Sequence, residues 1–521
     1  MSELFRLSAC ELAAQIAAKQ VSAREVVAAH IARIEAVNPA LNAVVVPLFD
    51  TAREAARQAD EWQASGAALG PLHGVPLTIK EAFHVAGTPS TMGLKSLVNK
   101  PLAADGPLVA RLKEAGAIVL GKTNVPQLML LHETDNPVYG TTNNPWDLQR
   151  TCGGSSGGEG AIIAAGGSAG GLASDLGGSI RIPSAFCGIA GLKPTSRRLT
   201  KRGAVVNLRG LEALQWQPGP MARRVADVER LLQVLVGDAS ANTEPDLSTA
   251  PLRDSRAISI RGLRVAYWED NGFVPYAPAV KRAVREAVAT LAGQGAEVEA
   301  LSPPKISEAM FLYTAAMAAD GGADAERLLR GSKVDSRVSR LLLAGRLPNW
   351  LRPTVAWATE KTGGAHRAGL LRTSRARSAD EYWQLTHWID NYRRKFLDDF
   401  AARFDALVLP VYALPAPPHG AALDLIPASS DSLFINLLGV PSGTVPVTRV
   451  RAGEESDRPA SRELMAATAL RAEQGSAGLP IGVQVVSHFW REDIVLAVMQ
   501  SIESGCESQE DYPHTPVTLQ R

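Results

Sequence analysis

The sequence predicts an α/β fold with a mixed or mostly parallel β-sheet. Short apolar runs alternate with helical patterns, and strand, helix and strand are predicted in turn at 75–79, 108–115 and 117–120. The same order returns at 262–268, 278–294 and 296–301. This alternation is typical of parallel sheet units, because the helix carries the chain back to the start of the next strand.

The composition is that of a large globular protein without a charged partner. The chain has 521 residues, of which 46% are hydrophobic, which is enough to bury a large core. Its 54 basic and 53 acidic residues give a net charge of +1, so we expect no nucleic-acid partner. The cysteines fit neither a zinc site nor a disulfide scaffold, and we predict no metal and a reducing compartment. They are Cys10, Cys152, Cys187 and Cys506.

Helices are predicted in two stretches near the N-terminus. Two amphipathic helices are expected within 7–38 and a third at 51–64. Ser8 and Ser22 are plausible N-caps, because each is followed three residues later by a glutamate. The charges near the N-terminus do not fit a signal peptide, and no apolar run is long enough to span a membrane. We therefore expect a cytoplasmic protein.

The second half of the chain is predicted to be helical and then to return to strands. Residues 306–400 have mainly helical patterns, with a break at 347–353. Buried strands are expected at 406–409 and 481–486. Residues 451–478 are polar and charged, and we expect an exposed, mobile insertion there.

The segment 151–195 is dense in glycine and serine and carries the first sign of chemistry. Regular apolar residues within it favour tightly turned backbone inside a core over a flexible linker. It has no Lys or Arg between Arg150 and Arg181, so it does not fit a phosphate-binding P-loop, and its glycine spacing does not fit a dinucleotide site. Two glycines precede Ser179, where converging backbone N–H groups could bind an oxyanion.

A nucleophilic serine also needs a base. No GxSxG motif followed by an acid and a histidine is present, and we interpret His73 and His132 as packed or polar loop residues. Lys80 ends the apolar run 75–79, where burial would lower its pKa and free a neutral amine. Taken alone, this pattern favours an ordinary surface lysine beside Glu81.

Three segments together closely resemble the amidase signature family: HGVPLTIKE at 73–81, CGGSSGGEGA at 152–161 and SDLGGSIRIPSAFCGIAGLKPT at 174–195. The resemblance implies a large mixed β-sheet core covered by helices on both faces. It also implies one amidase domain over 1–521, with the signature core at about 71–200 and a mainly helical substrate-side region at about 306–400.

By this resemblance the site is a Ser–cis-Ser–Lys triad that needs no metal or organic cofactor. Lys80 is the expected base, Ser155 the middle serine and Ser179 the nucleophile. The expected oxyanion donors are the backbone amides of Leu176, Gly177, Gly178 and Ser179. The residues expected to support or line the site are Ser156, Asp175, Arg181, Gly153 and Gly154.

Within the family, the sequence is most similar to the fatty acid amide hydrolase branch. Glu159 stands where many members have serine, and Met129 and Leu130 would line an acyl channel. The membrane-spanning N-terminal helix of animal members has no counterpart in this sequence. Apolar residues cluster within 340–360, and we interpret this cluster as core in preference to a dimer interface or a membrane contact.

The expected function is hydrolysis of a carboxamide to a carboxylic acid and an amine or ammonia. Fatty acid amides or N-acylethanolamines are one expected substrate class, with a homodimer and a peripheral membrane contact as expected assemblies. The alternatives are an amidase for short or aryl amides and a glutaminase-type amidotransferase subunit.

Overall fold

The computed structural model describes residues 3–205, 208–238 and 244–519. The strands are β1 Val44–Pro47, β2 Pro76–Lys80, β3 Ile118–Thr123, β4 Asp135–Asn136, β5 Gly140–Thr141, β6 Gly170–Asp175, β7 Ala190–Lys193, β8 Gln217–Ala222, β9 Arg264–Tyr267, β10 Glu297–Ala300, β11 Ala406–Pro410, β12 Ser442–Arg449 and β13 Pro480–Ser487.

The helices before the last four strands are α1 Ala9–Ala17, α2 Ala23–Leu41, α3 Phe49–Ala64, α4 Pro107–Glu114, α5 Gly157–Ala164, α6 Arg181–Cys187, α7 Val225–Val236 and α8 Pro278–Gly293. The later helices are α9 Ile306–Met317, α10 Ala323–Leu329, α11 Ser336–Arg346, α12 Arg352–Lys361, α13 Ala365–Thr373, α14 Ala379–Arg403, α15 Ser430–Leu438, α16 Leu464–Glu473 and α17 Glu492–Cys506.

One mixed sheet of 11 strands organises the molecule, in the order β1-β3-β2-β6-β8-β7-β12-β13-β11-β9-β10. Strand β2 runs parallel to β3 and β6, and β9 runs parallel to β10 and β11. The other neighbours in this sheet are antiparallel. Strands β4 and β5 form a separate two-stranded sheet. The predicted mixed α/β class is therefore confirmed.

Strand β11 shows that both faces of the sheet are covered. Successive side chains of a strand point to opposite faces. Ala406 and Val408 join a core that contains residues of α7, α8 and α17, whereas Leu407 and Leu409 join a core with residues of α9, α14 and α15. This arrangement confirms the expected helical layers on both faces.

The N-terminal helices begin where the sequence predicts. Ser8 caps α1 and Ser22 caps α2, and each hydroxyl accepts from the backbone N–H of the glutamate three residues later. Both capping boxes are complete, because each glutamate carboxylate accepts from the backbone N–H of its serine. Each reciprocal pair satisfies two N–H groups that a helix end leaves free.

Residues 451–478 are only partly the exposed insertion that we expected. Residues 451–463 are largely exposed, but α16 follows and buries Met465, Ala469 and Ala472 in the main core. Glu473 at its end is also buried and pairs with Arg458 at 2.7 Å. The prediction is wrong for α16, since the apolar residues of a charged helix recur on one face, and that face packs here.

The apolar cluster at 340–360 divides between the interior and the surface. Leu342 is buried in a small core, whereas Leu343, Trp350 and Trp357 are 64%, 80% and 60% exposed. The core interpretation is wrong for these three residues. Of the helices in the described ranges, none has both the length and the apolar character needed to cross a membrane.

Candidate active site

Lys80 is the last residue of β2, a strand buried along its whole length between β3 and β6. Its side chain is fully buried, so the surface-lysine interpretation does not hold. The amine nitrogen lies 2.8 Å from Ser155 Oγ, 2.8 Å from Ser156 Oγ and 3.0 Å from Ser174 Oγ. Three hydroxyl groups from two separate segments therefore converge on one nitrogen.

This environment changes the proton affinity of the Lys80 amine. Burial lowers its pKa to about 7, and the opposing charges of Asp175 and Glu159 reduce that shift. An amine with a pKa near neutrality is substantially unprotonated at neutral pH, which a general base requires. Lys80 can therefore take a proton from a hydroxyl group in direct contact.

Ser155 and Ser156 lie in a sharp turn that ends where α5 begins at Gly157. The peptide bond between Gly154 and Ser155 is cis. A Cβ at Gly154 would lie 2.6 Å from the Leu131 carbonyl oxygen, so glycine is needed for close approach of the two backbones. Two cavities open at Ser179, and neither Gly153 nor Gly154 is among the residues that line them.

Ser179 lies in a second turn, which directly follows β6. Gly178 has φ +102°, a backbone conformation that favours glycine, and its N–H donates to Asp175 Oδ1 at 2.8 Å. The Ser156 N–H donates to the Ser179 carbonyl oxygen at 3.2 Å. This bond ties the two serine turns together next to Lys80.

The expected oxyanion donors do not have equal backbone environments. The Gly178 N–H already donates to the Asp175 carboxylate, so it is less available to bind an oxyanion. Leu176, Gly177 and Ser179 line the larger cavity at this turn. Their three backbone amides are therefore the better candidates for binding a developing negative charge.

Asp175 and Arg181 form a fully buried ion pair at the base of the Ser179 turn. Arg181 Nη2 lies 3.0 Å from Asp175 Oδ1, and both side chains are inaccessible to solvent. Burial would raise the pKa of Asp175, but the Arg181 guanidinium holds it well below its usual range. The pair contacts the turn through the Gly178 and Ile180 N–H groups, which both donate to Asp175.

Two side chains far along the chain contact this ion pair, in addition to the Ser432 carbonyl oxygen, and the sequence did not single them out. Asn436 on α15 donates to Asp175 Oδ1 at 2.9 Å and accepts from Arg181. Gln484 on β13 accepts from Arg181 Nη1 at 2.6 Å. No local pattern marks either residue, because Asn436 is a single polar position within the apolar run 433–438 and Gln484 is one within 481–486. Ser174, which also contacts Lys80, precedes Asp175 directly and could have been found by that adjacency.

A cavity of 160 Å³ opens at Ser179 and has a mainly apolar wall. Its wall includes both predicted channel residues and reaches into the helical region, with apolar side chains from Met129, Leu130, Leu131, Leu176, Met317, Ala318, Ala325, Leu341, Leu342, Leu370, Ile426 and Leu433. His132 also lines it, and burial lowers the pKa of that imidazole to about 4, so it is neutral at physiological pH. The cavity therefore suits an apolar group that extends from Ser179.

A second cavity of 30 Å³ also opens at Ser179 and reaches Ser155. Ser155 and Ser179 both line it, together with Phe83 and Trp216. This cavity has room for one or two small chemical groups of a substrate. Across the described ranges, no group of three or more His, Cys, Asp or Glu side chains is arranged to hold a metal ion.

Comparison with known proteins identifies the family. A family model described as Amidase matches residues 25–496. Fatty-acid amide hydrolase 1 from Sus scrofa is 35% identical over 505 residues, which cover 96% of this chain and 86% of that protein. One subunit of the glutamyl-tRNA(Gln) amidotransferase from Acidothermus cellulolyticus is 33% identical, and the match covers 97% of this chain and 95% of that protein.

A solved structure of fatty acid amide hydrolase has the same fold, with a TM-score of 0.84 at 26% sequence identity. The match covers 97% of this chain and 86% of that one. The sequence resemblance, the mixed sheet and both kinds of comparison agree. The chain belongs to the amidase signature family and is an amide-hydrolysing enzyme.

Proposed function

We propose that the enzyme cleaves carboxamides through a serine acyl-enzyme, with Ser179 as nucleophile, Ser155 as proton relay and Lys80 as base. The observation that carries this proposal is the 2.8 Å contact between the buried Lys80 amine and Ser155 Oγ. A serine hydroxyl is a weak nucleophile until a base removes its proton. The backbone hydrogen bond from the Ser156 N–H to the Ser179 carbonyl oxygen holds the two serine turns together, which supports a relay that reaches the nucleophile.

In the acylation step, Lys80 takes the Ser155 proton while Ser155 takes the Ser179 proton. The Ser179 oxygen forms a bond to the amide carbonyl carbon, and the C–N electron pair leaves with nitrogen. As that bond breaks, Ser155 donates a proton to the nitrogen and takes one back from Lys80, because an amine leaves poorly unless it is protonated. Water repeats the attack on the acyl-enzyme through the same relay, which releases the acid and regenerates Ser179.

The carbonyl oxygen becomes negatively charged during the attack, and the backbone amides of Leu176, Gly177 and Ser179 are its proposed donors. Preorganised donors of this kind lower a barrier by about 3–4 kcal/mol each. Gly178 is assigned mainly to holding the turn, since its N–H donates to Asp175. Ser156 and the Asp175–Arg181 pair are proposed as supports that fix the positions of Lys80 and Ser179.

We infer that the acyl part of the substrate is apolar and extended, as in fatty acid amides or N-acylethanolamines. The apolar wall that begins at Met129 and Leu130 and continues through α9, α11 and α13 supports this class. Burying each methylene there contributes about 0.8 kcal/mol. The similarity to a fatty-acid amide hydrolase points in the same direction. Gly153 and Gly154 then act by shaping the serine turn rather than by touching the acyl group.

The alternatives are short or aryl amides and the glutaminase role of an amidotransferase. Free glutamine, reacting at its side-chain amide, would place its charged α-ammonium and α-carboxylate against the apolar wall, which costs free energy unless both are paired. Amides of graded acyl length test the assignment. We expect kcat/KM to increase with chain length, with turnover abolished in Ser179→Ala. A preference for short or aryl acyl groups, or for glutamine, would instead support the alternatives.

We also propose that Leu343, Trp350 and Trp357 contact a lipid surface. They are exposed, and Leu341 and Leu342, beside Leu343 on α11, line the cavity. A substrate that dissolves in a membrane could therefore enter next to its site of binding. The expected homodimer would compete for this surface. One amidase domain over 1–521 and a cytoplasmic location stay predictions.

A further inference from the structure

The peptide unit that joins Leu176 to Gly177 is the first of the Ser179 turn, directly after β6. It supplies the Gly177 N–H, one of the three proposed oxyanion donors. Its carbonyl oxygen, on Leu176, accepts a hydrogen bond from the hydroxyl group of Tyr313 at 3.1 Å. Tyr313 lies on α9, and its sequence separation from Leu176 is 137 residues. A distant helix therefore holds one side of the peptide unit whose other side is proposed to bind the oxyanion.

This contact fixes the direction of the Gly177 N–H. The peptide unit is trans and planar, so its C=O and N–H bonds point in opposite directions and rotate together. Because the carbonyl oxygen is held toward α9, the N–H points away from that helix. Rotation of the unit would break its hydrogen bond to Tyr313.

The fold makes room for the tyrosine hydroxyl group. A Cβ at Gly177 would lie 2.7 Å from Tyr313 Oη and 2.9 Å from Leu433 Cδ2, so glycine is needed for the close approach of α9 and α15 to the turn. Glycine also leaves its own backbone dihedral angles with more freedom than any other residue. The turn therefore needs an outside contact at this point, and Tyr313 provides one.

The later peptide units of the turn have other restraints. The Gly178 N–H donates to Asp175, and the Gly178 carbonyl oxygen accepts from the Ile182 N–H at 2.7 Å. The Ser179 carbonyl oxygen accepts from the Ser156 N–H. Loss of the tyrosine hydroxyl group would therefore loosen the first unit of the turn and leave the later units in place.

The hydroxyl group of Tyr313 acts as a donor in this contact, because a carbonyl oxygen can only accept. The side chain is buried, and burial together with the charge of Asp175 raises the pKa of the phenol well above its usual range. The phenol therefore keeps its proton at the pH where Lys80 loses its own, near 7. Tyr313 also lines the larger cavity at Ser179, so the contact lies beside the space proposed for the substrate.

We propose that Tyr313 is a positioning residue whose hydroxyl group holds the Leu176–Gly177 peptide unit in the orientation that lets the Gly177 N–H bind the oxyanion. This inference rests on the proposed roles of Ser179 as nucleophile and of the turn amides as oxyanion donors. Tyr313 neither gains nor loses a proton in any step. A donor that is oriented in advance needs no reorganisation when the negative charge develops, so it stabilises the transition state more than the bound substrate.

The test is Tyr313→Phe, which removes the hydroxyl group and keeps the ring. We expect kcat for a long-chain primary amide to fall about tenfold, which is less than the loss of about 10²–10³ that follows removal of a whole oxyanion donor. KM should stay within about twofold of the wild type, because the ring still lines the cavity.

Two inhibitors with the same alkyl chain separate positioning from binding. Ser179 can attack an alkyl trifluoromethyl ketone, which gives a tetrahedral adduct with the negative charge on the former carbonyl oxygen. The corresponding alcohol has no carbonyl group and only occupies the cavity. In Tyr313→Phe, we expect the inhibition constant of the ketone to rise about tenfold and that of the alcohol to stay unchanged, because only the adduct uses the oxyanion donors.

Tyr412→Phe is the matched control. Tyr412 is also buried, and its hydroxyl group also donates to a backbone carbonyl oxygen, that of Leu425, at 2.8 Å. Neither residue is among those that line the two cavities at Ser179. Both variants lose one buried hydrogen bond and should unfold at similarly reduced urea concentrations. Tyr412→Phe should nevertheless keep the kcat of the wild type and its response to both inhibitors.

A folded Tyr313→Phe variant with the kcat and the ketone inhibition of the wild type would overturn the inference. Equal weakening of ketone and alcohol binding would also overturn it, since Tyr313 would then only shape the cavity wall. Failure of the proposed function would look different, because the wild-type protein itself would then bind the ketone no more tightly than the alcohol.

Discussion

Asn436 Nδ2 donates to Asp175 Oδ1 at 2.9 Å across a sequence separation of 261 residues. The same amide accepts from Arg181, so it bridges both members of the buried ion pair. The pair in turn holds the Gly178 N–H that shapes the turn before Ser179. Helix α15 is therefore coupled to the Ser179 turn through the Asn436 side chain and the Ser432 carbonyl oxygen.

Replacement of Asn436 by alanine is expected to destabilise the protein by about 1–3 kcal/mol. The reason is that buried groups of Asp175 and Arg181 would lose partners that water cannot replace. Urea unfolding measures this loss, and kcat/KM should decrease with it because the nucleophile turn loosens. Asn391→Ala, at an exposed position on α14, should stay within about 0.5 kcal/mol of the wild type. Equal effects of the two substitutions would contradict the bridging role.

The pH dependence of turnover should report the Lys80 amine. Because burial lowers its pKa to about 7, the base is protonated and inactive below that pH, and kcat/KM should rise about tenfold per pH unit up to it. Lys80→Ala should lose most of the rate at neutral pH and recover part of it at high pH, where hydroxide can replace the base. Lys80→Arg should not recover, since arginine stays protonated. A variant profile with the same acid limb as the wild type would exclude Lys80.

The sequence predicts much of the fold where strands are apolar runs, as in β2, β3, β9 and β11. It does not reveal β6, β8 or β12, whose sequences GGLASD, QPGPMA and SGTVPVTR contain glycine, proline and hydroxyl residues. These strands lie inside the sheet, where neighbours on both sides and helices on the faces stabilise them. Such packing comes from distant parts of the chain and leaves no local periodicity.

The candidate site likewise has parts that the sequence reveals and parts that it does not. The glycine turn before Ser179 is evident locally, because glycine density and a following serine lie within a few residues. The burial of Lys80 is not evident from the sequence, since a lysine beside Glu81 fits a surface position equally well. It follows from the position of β2 between β3 and β6, which exclude water from the side chain. The family resemblance supplied the link between Lys80 and the two serines that residue patterns left open.

Filling the larger cavity should shift substrate preference toward short acyl groups. Ala325 on α10 is buried and lines the cavity in the helical region. Ala325→Phe places a ring in the space proposed for the acyl chain, with an overpacking cost to stability of about 1–3 kcal/mol. We expect kcat/KM for long-chain amides to fall at least about tenfold while short-chain amides keep their rate, which serves as the internal control. A parallel loss for both classes would show general damage instead.

Removal of the exposed tryptophans on the outer side of this region should weaken binding to lipid. Trp350 and Trp357 are 80% and 60% exposed, and an indole ring at a membrane surface buries its apolar body while its N–H stays hydrated. In a vesicle co-sedimentation assay with phosphatidylcholine, we expect the Trp350→Ala/Trp357→Ala double variant to bind at least about tenfold more weakly. Turnover of a short, water-soluble amide should be unchanged, because neither ring lines the cavity at Ser179.

Trp62→Ala is the control for that experiment, since Trp62 is 57% exposed but lies at the end of α3, in a different part of the chain. It should bind vesicles like the wild type. If instead the double variant keeps its vesicle binding but changes from dimer to monomer in analytical ultracentrifugation, the surface joins two copies of the chain. The lipid contact requires the opposite pattern, in which vesicle binding falls and the sedimentation coefficient stays the same.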